Sequence, residues 1–477
     1  MTRFSWEKLL LDKRRKDTAG GKPPVDVQLP KKAEHRTEIE RDFDRILFST
    51  PVRRLQDKTQ VFPLEAHDSV RTRLTHSHEV ANLARSFGTA LVYLYPEKIQ
   101  FPSSVNAQRD LPALLGAIGL AHDLGNPPFG HQGEAAIRSW MASKSKSVQN
   151  FFSGLNEAQK TDFLRFEGNA QAFRLLTRLQ IVNDDFGLNM TYAFLAALMK
   201  YPSPSDRISK DNQARKKFNF FQSEADIAQD VWSFTGLAEG IRHPLTYVME
   251  ACDDIAYSVV DIEDAAKKGL VNFNSLVGFL THTADGDAVI AEVVKAAKEK
   301  HEEFRQVDLS AAELDDITLQ MFRVAAIGKM IRAATDAFVA NYDDLMLGKF
   351  EGELLAASDA APLWKALKAF AKSHIYNHRQ VLEIELQGHQ TIHGLMDILW
   401  SAISEREKPE EIDSRRPPLS SYVYSRISEN YRRVATSKYN GMPLRYRELQ
   451  LMTDMVSGMT DTFAVSLLED LRQRGAA

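Results

Sequence analysis

The chain has 477 residues, of which 44% are hydrophobic and 26% are charged, and these are the proportions of a soluble globular protein. The net charge of -4 excludes a global attraction to nucleic acid, and the single cysteine, Cys252, excludes an internal disulfide framework and every cysteine-rich zinc site. The sequence contains neither an apolar run of roughly 18 residues nor a signal-peptide pattern, so we expect a cytoplasmic protein without a membrane span.

The N-terminal segment differs in composition from the rest of the chain. It combines the basic cluster 13–16 with a glycine- and proline-rich run, 19–32, that offers little apolar surface to bury. We predict that residues 1–35 form a flexible basic arm or a strap over a neighbouring subunit, and that the basic cluster acts as a solubilising tail or contacts nucleic acid. From Arg41 onward, apolar residues recur at helical rather than alternating spacing, and this predicts a mainly α fold.

The helical spacing continues through most of the chain. It predicts helices over the following segments: 80–95, 113–125, 246–268, 310–345 and 361–372. Strand-like alternation is rare, and VLEIEL (381–386) is the best candidate for one of a few short strands. The polar stretches 202–217 and 405–418, which contain prolines and charges, predict surface loops.

One short segment, GLAHDLGNPPFGHQGE (119–134), concentrates histidines, carboxylates, glycines and prolines as no ordinary core or surface needs. The apolar run at its start predicts a helix whose last turn presents His122 and Asp123, and Pro127 with Pro128 prevents that helix from continuing. Neighbouring His and Asp side chains can ligate one metal ion if the helix end directs both inward. Two ligands alone hold a metal weakly, so further ligands are expected from elsewhere in the chain.

A second helix is expected to begin after Gly130. It would place His131 and Glu134 three residues apart on one face, where the two side chains can form a hydrogen-bonded acid/base couple. Such a couple suits proton transfer in a hydrolytic reaction.

Two other segments supply the missing ligand types. VRTRLTHSHEVANLA (70–84) offers His76 or His78 at a predicted helix start, with arginines just before that suit a phosphate substrate. YVMEACDDIAYSVVDIEDA (247–265) offers Asp253 or Asp254, and the first of these shares one helix stripe with Tyr257 and Asp261. Two imidazoles and two carboxylates would leave positions open for water and a phosphate oxygen on a Mn²⁺, Mg²⁺ or Fe²⁺ ion.

The order H…HD…D, with RLTHS, AHDLGNPPFGHQGE and DDIAY as landmarks, resembles the deoxyguanosine triphosphate triphosphohydrolase (dGTPase) family, a branch of the HD superfamily. The resemblance extends from about Arg41 to the C-terminus through RRLQDKTQVFPLE, FEGNAQAFRLL, LMKYP and RYRELQLMTDMVSGMTD. It implies an HD phosphohydrolase core over 36–275. It also implies a helical C-terminal region over 276–477 that completes the nucleotide pocket and the oligomer contacts.

By this resemblance, one divalent metal ion per subunit is held by four residues: His76, His122, Asp123 and Asp253. His131 and Glu134 are implied as the catalytic pair near the α-phosphate. Family members release deoxynucleoside and intact tripolyphosphate, so the resemblance implies dGTP, or another dNTP, as the substrate. It also implies a homo-oligomer, with a hexamer as the expected assembly, and a possible contact with single-stranded DNA.

The resemblance also implies substrate contacts. Gln60 and Asp261 are expected to meet the 3′-hydroxyl of the deoxyribose, and Tyr257 to pack against the sugar so that no room is left for a 2′-hydroxyl. Five further residues are expected to hold the triphosphate: Arg73, Asn169, Lys200, Tyr201 and Lys217. Cationic and amide donors suit its roughly four negative charges. Glu383 and Arg447 are candidates for the guanine pocket.

Two other functions compete with this one. The chain could be an HD phosphohydrolase on another nucleotide, such as a cyclic or guanosine tetraphosphate-type substrate, and the turnover of GTP against dGTP would separate the two. It could also be a regulatory protein that senses a nucleotide or single-stranded DNA through an inactive HD site. The presence of all the implied ligands and of the His131–Glu134 pair argues against that loss of catalysis.

Overall fold

The computed structural model describes residues 3–18, 35–62, 64, 69–180, 184–284 and 286–476. The secondary structure of these residues is helical, and their only strand-type pairings are three isolated β-bridges: Arg14–Thr191, Thr59–Thr72 and Pro204–Phe220. The mainly α fold class is therefore confirmed. Within the same residues, no helix is both long enough and apolar enough to cross a membrane.

The helices of the first part of the chain have the following bounds: α1 Trp6–Leu9, α2 Arg15–Thr18, α3 Glu38–Leu47, α4 Thr50–Arg54, α5 Arg73–Leu94, α6 Ala107–Ala121, α7 Gly130–Ser147, α8 Glu157–Leu164, α9 Gly168–Arg174, α10 Tyr192–Leu198, α11 Ala225–Thr235 and α12 Pro244–Lys267. Short 3₁₀ turns occur at Leu55–Asp57, Ser205–Arg207, Gln213–Arg215 and Gln222–Glu224, and a π-helical turn at Leu175–Leu179.

The second part continues with α13 Phe273–Thr283, α14 Ala288–Phe304, α15 Ala311–Ala340, α16 Tyr342–Met346, α17 Ala361–Ala371, α18 Arg379–Ser404, α19 Pro418–Ser425, α20 Glu429–Thr436, α21 Leu444–Ser457 and α22 Asp461–Gln473. A second π-helical turn, Lys372–Tyr376, joins α17 to α18.

The long predicted helices are confirmed, and the predicted strand is wrong. Residues 381–386 belong to α18, whose buried residues Val381, Gly388, Ile392 and Leu395 keep helical spacing. The alternation in VLEIEL spans only six residues, and the longer period around it decides the structure.

The predicted surface loop 202–217 is also partly wrong, since residues 202–205 are buried. The bridge from Pro204 to Phe220 and the hydrogen bond from Ser205 Oγ to Asp162 hold this segment against the core. The segment thereby fixes the position of Lys200 and Tyr201, which precede it.

The start of the expected arm, residues 3–18, packs against the core instead of being free. Trp6 and Leu9 are buried, and Arg14, a member of the basic cluster, is 4% exposed. Its guanidinium donates to Asp42 Oδ1 at 2.7 Å and to Glu38 Oε2 at 2.8 Å, because a buried cation needs carboxylate partners. The glycine- and proline-rich run 19–32 lies outside the described residues.

The helices α5, α6 and α12 pack against one another and form the centre of the molecule. Close packing of α5 on α6 depends on Gly119, because a Cβ atom there would lie 2.8 Å from the Cα of Ala81. This approach brings the first turns of α5 near the end of α6. Histidines from the two helices can therefore meet.

Candidate active site

A cluster of ligand-type side chains lies where α5, α6 and α12 meet. His76 comes from the first turns of α5, His122 and Asp123 directly follow α6, and their ligand atoms lie within 4.8 Å of one another. Asp253, from α12, places its Oδ1 atom 3.2 Å from His76 Nε2 and 3.4 Å from His122 Nε2. The structure thus brings together all four residues expected as metal ligands.

The orientation of His122 fits a metal ligand. Its Nδ1 donates to the carbonyl of Gly119 at 2.7 Å, and its buried Nε2 has no hydrogen-bond partner. In metal-binding histidines, a hydrogen bond from the nitrogen that does not bind the metal fixes the tautomer and the orientation of the ring. Burial opposes a charge on this ring, but Asp123 and Asp253 outweigh burial and raise the pKa of His122 to about 9. The cluster therefore favours positive charge, as a site for a divalent cation should.

The neighbouring alternatives lie outside this cluster. His78 faces a separate cavity of about 450 Å³ that is lined by residues of α3, α5 and α6. Asp254 has Lys368 of α17 at 3.4 Å. Both residues point away because residues one or two positions apart on a helix face different directions.

Arg73 and Asn126 hold Asp123 from two sides. Arg73 Nη1 donates to Oδ2, and Asn126 Nδ2 donates to Oδ1 at 2.6 Å. Burial alone would raise the pKa of Asp123, but Arg73 and His122 outweigh burial and lower it. The Nε atom of Arg73 is buried without a hydrogen-bond partner. Arg73 can therefore bind Asp123 and still offer N–H groups to a phosphate.

The turn before α7 brings the backbone close to Arg73. Gly130 has φ +55°, and a Cβ atom there would lie 2.5 Å from Arg73 Nη2. Both the positive φ and the lack of space favour glycine at this position.

His131 and Glu134 occupy the first turns of α7, but the hydrogen bond expected between them is not formed. Glu134 Oε1 instead accepts from the backbone N–H of Gly168 at 2.7 Å, at the start of α9, where helix N–H groups attract a carboxylate. Its Oε2 is buried without a hydrogen-bond partner, and Arg138 lies 3.6 Å away.

The His131 side chain reaches solvent, while the protein around it displaces much of its water. This desolvation, together with the positive charges of Arg73 and Lys217, lowers the pKa of His131 to about 4. The imidazole is therefore uncharged at neutral pH.

A carboxylate that we did not single out in the sequence, Glu167, organises one side of the site. Its Oε1 accepts from Lys217 Nζ at 2.8 Å and from Asn169 Nδ2 at 2.8 Å. The adjacent lysine in the sequence, Lys216, is exposed. The sequence could have identified Glu167 by its position two residues before Asn169 in the motif FEGNAQAFRLL.

On another side, Lys200 lies near the cluster of candidate metal ligands. Its Nζ lies 3.9 Å from Asp253 Oδ2 and 3.6 Å from Glu250 Oε1. Tyr201 is buried, and the guanidinium of Arg242 lies 5.6 Å from the centre of its ring. Arg242 in turn donates to Glu250 at 2.8 Å, so Glu250 links both cations.

Aromatic rings form a floor beside the stripe of α12. Tyr257 stacks on Tyr376, with ring centroids 5.8 Å apart and planes inclined by 26°. The hydroxyl of Tyr376 donates to Asp261 Oδ2 at 2.6 Å. Asp261 Oδ1 and Gln60 Oε1 are both buried without hydrogen-bond partners, so each can still accept from a ligand. Tyr376 comes from the second π-helical turn, in a segment where the sequence showed no motif.

C-terminal residues brace the loop that carries the cluster. Lys58 Nζ donates to the carbonyls of Asn126 at 2.6 Å and Ser457 at 2.7 Å, and burial lowers the pKa of Lys58 to about 7. Asp461 accepts from the backbone N–H groups of Thr59 at 3.0 Å and Phe129 at 2.9 Å. The segments that carry Gln60 and His131 are thus tied to one carboxylate.

The two guanine-pocket candidates lie apart from these contacts. Glu383 pairs with Arg379 on the surface of α18 at 2.8 Å, and Arg447 donates to the carbonyl of Ala435 at 3.0 Å. Among the described residues, neither makes a hydrogen bond or ion pair with the site.

Comparisons with known proteins identify the family of the chain. No protein-family model matches the chain. Deoxyguanosinetriphosphate triphosphohydrolase-like proteins of Listeria innocua and Synechocystis sp. are 35% and 34% identical to it, and each alignment covers 98% of this chain and 99% of the relative. The deoxyguanosinetriphosphate triphosphohydrolase of Yersinia enterocolitica is 31% identical over 91% of this chain and 94% of its own. Identity above 30% along nearly the whole of both chains shows that this protein belongs to the deoxyguanosinetriphosphate triphosphohydrolase family.

Proposed function

We propose that the protein is a metal-dependent triphosphohydrolase that converts dGTP, or another dNTP, to deoxynucleoside and tripolyphosphate. One observation carries the proposal. The four candidate ligands His76, His122, Asp123 and Asp253 meet beside Arg73, which has hydrogen-bond donors to spare.

The donor set supports one divalent ion, Mn²⁺, Mg²⁺ or Fe²⁺, held by these four residues. The two carboxylates suit hard cations such as Mg²⁺ and Mn²⁺, and the two imidazoles are also compatible with Fe²⁺. When bound, such an ion would polarise a phosphate oxygen and lower the pKa of a water molecule. The free Nε2 of His122 and the raised pKa of its ring both support a cation at this point.

The charges around the cluster support a triphosphate ligand. Arg73, Lys200 and Lys217 come from three different segments and lie beside the cluster or beside Glu167. Asn169 and Tyr201 add an amide and a hydroxyl. We assign these five residues to the phosphates, because several cationic and polar donors are needed to hold about four negative charges.

We assign proton transfer to His131. Its imidazole is uncharged at neutral pH and so has a free lone pair, and the negative charge of a bound triphosphate would offset Arg73 and Lys217 and raise its pKa toward the pH at which the enzyme works. Glu134 holds α7 to the start of α9 through Oε1. Its Oε2 atom has no hydrogen-bond partner and is free to accept a proton. In this proposal the two residues act together once substrate is bound, although they are not hydrogen bonded to each other here.

The sugar is assigned to the aromatic floor. Asp261 Oδ1 and Gln60 Oε1 are both unpaired, so the 3′-hydroxyl can donate its one hydrogen to either of them, and the Tyr257–Tyr376 stack would exclude a 2′-hydroxyl by its bulk. The preference for dGTP follows from the names of the relatives and is part of the proposal. The hexamer, the contact with single-stranded DNA and the cytoplasmic location stay predictions.

Product analysis tests the proposal. Purified protein is incubated with each of the four dNTPs and with GTP, in separate reactions with Mn²⁺, Mg²⁺ and Fe²⁺, and the products are separated by ion-exchange chromatography. We expect tripolyphosphate and deoxynucleoside from dGTP, and little turnover of GTP. Pyrophosphate or inorganic phosphate as the only phosphate product would contradict it, and equal turnover of GTP would favour an HD phosphohydrolase with another substrate.

A further inference from the structure

Two histidines outside the proposed active site, His389 and His393, lie one turn apart on α18. Their rings stack with centroids 4.2 Å apart and planes inclined by 27°. Both Nε2 atoms approach the same atom, Ser139 Oγ of α7, at 3.2 Å and 2.8 Å. The two imidazole nitrogens therefore converge on one point.

The Ser139 hydroxyl also lies 3.0 Å from the carbonyl oxygen of Ala136, to which it can donate its one hydrogen. In that arrangement it offers no hydrogen to the lone pair of either imidazole, whereas a metal ion at the same point can bind both lone pairs. Burial and the neighbouring His389 lower the pKa of His393, which disfavours the charged form of that ring. An uncharged imidazole is the form that binds a metal ion.

We propose that His389 and His393 form a second metal site, which chelates a transition-metal ion such as Zn²⁺, Ni²⁺ or Cu²⁺ through their Nε2 atoms. Histidines four residues apart on a helix share one face and can bind the same ion. Metal–nitrogen bonds of 2.0–2.1 Å place two ligand nitrogens about 3.4 Å apart in a tetrahedral site. Both Nε2 atoms already lie within 3.2 Å of a single point, Ser139 Oγ.

The surroundings leave room for an ion and its water ligands. The pair opens on a cavity of about 540 Å³, which is also lined by Glu469 and Arg472 of α22. Glu469 is exposed and forms no ion pair within the described residues, so it offers a carboxylate on the same cavity. Arg472 repels a cation. The affinity of this site must therefore come from bonds between the metal and the imidazole nitrogens and not from electrostatic attraction.

The next acidic residue along the same helix face is engaged elsewhere. Asp397 accepts from Trp140 Nε1 at 2.9 Å and pairs with Lys144 at 2.7 Å, and both partners belong to α7. Asp397 therefore holds α18 against α7 and does not serve as the third ligand.

The ligand types distinguish this site from the cluster at His122. A site with two imidazole ligands and no carboxylate already in place suits Zn²⁺, Ni²⁺ and Cu²⁺. Mg²⁺ and Mn²⁺ prefer oxygen ligands. A bound ion would replace the contact of both rings with Ser139, which lies on the helix that carries His131 and Glu134. The proposal does not depend on the function assigned to that helix.

Zinc stoichiometry of the untagged, full-length protein tests the second site. The protein is dialysed against buffered free Zn²⁺, and bound zinc is measured by atomic emission. We expect two equivalents per chain in the wild type, one in His389→Ala and in His393→Ala, and one in His122→Ala. Two matched controls should keep both equivalents: Gln390→Ala on the same cavity and His282→Ala, an exposed histidine of α13.

The double variant His122→Ala/His393→Ala should bind no zinc at the same free concentration. Circular dichroism melts establish that each variant is folded. If the variants at His122 fail to fold, the copper signal at saturation is integrated by electron paramagnetic resonance for the wild type, His389→Ala and His393→Ala. Because the cluster at His122 also supplies two nitrogen ligands, we expect only the signal of the second copper equivalent per chain to be lost from the α18 variants. Retention of two zinc equivalents, or of that copper signal, in both α18 variants would overturn the proposal.

Discussion

The hydroxyl of Tyr376 donates a hydrogen bond to Asp261 across 2.6 Å, and the two residues are 115 positions apart in the chain. Tyr376 also stacks on Tyr257, so a single residue of the C-terminal region completes both the polar end and the aromatic floor of the proposed sugar site. The site is therefore assembled from both parts of the chain.

Tyr376→Phe keeps the stack but removes the donor to Asp261. We expect kcat/KM for dGTP to fall about tenfold, which corresponds to the roughly 1.4 kcal/mol of one hydrogen bond to a charged or buried group. Tyr376→Ala should in addition raise the turnover of GTP relative to dGTP, because the bulk against a 2′-hydroxyl is lost. Steady-state kinetics with both nucleotides check this. Tyr439→Phe, at an exposed tyrosine, serves as the control, and an unchanged GTP/dGTP ratio in Tyr376→Ala would argue against the steric role.

Gly130→Ala tests the close approach of the α7 turn to Arg73. The added methyl group would lie 2.5 Å from Arg73 Nη2, so we expect displacement of the guanidinium and a loss of kcat/KM of about tenfold or more. Gly154→Ala is a matched control, because Gly154 also has positive φ (+76°) but nothing lies within 4 Å of the position that its added methyl group would take. Both variants should lose about 1 kcal/mol of stability from backbone strain. Equal kinetics in the two variants would mean that contact with Arg73 does not matter.

His131→Gln tests proton transfer. Glutamine keeps hydrogen-bonding capacity but cannot act as a base, so we expect kcat to fall by about 10²- to 10⁴-fold while metal content stays at the wild-type level. Metal analysis of the same samples separates this loss from a defect in metal binding. His78→Ala is the control, since His78 faces a separate cavity and should leave both kcat and metal content unchanged. A variant His131→Gln with more than a tenth of the wild-type kcat would remove this residue from the mechanism.

Metal affinity should depend on pH through His122. Its pKa in the folded, metal-free protein is raised to about 9, above the ordinary value of about 6.5, so an incoming ion must displace a proton at neutral pH. We expect the Kd for Mn²⁺ to fall about tenfold for each pH unit from about 7 up to about 9, and to level off above that value.

The same shift affects the stability of the metal-free protein. The proton on His122 contributes its full stabilisation below about pH 6.5, and this contribution is lost as the pH rises through about 9. Thermal melts in chelator should therefore shift to lower temperature across this window, and added Mn²⁺ should reverse the shift. A Kd that does not change between pH 7 and 9 would show that no proton is displaced.

Much of the candidate site could be predicted from local sequence. Helical spacing predicted the long helices, and a glycine predicted the start of α7 at the residue where the structure has it. The two prolines predicted that α6 stops before them, but α6 already ends at Ala121, so His122 and Asp123 follow its last turn instead of belonging to it. Residue chemistry then limited the ligands to a few histidines and carboxylates. These features depend on short-range sterics and periodicity, which the neighbouring residues determine.

Helix packing decided the remainder. His76 and His78 are equivalent as chemistry, and only the approach of α5 to α6, made possible by Gly119, brings His76 and not His78 beside His122. Tyr376 joins the site from a π-helical turn far along the chain, a contact that no local sequence pattern predicts.

The sequence by itself determined which side chains were able to bind a metal ion, a phosphate or a sugar. The tertiary structure alone decided which of them meet, for example that Glu134 accepts from Gly168 and not from His131, and that Glu167 holds Lys217. The physical reason is that periodicity defines the faces of each helix but not the partner of each face. That partner depends on burial and close packing across the whole chain.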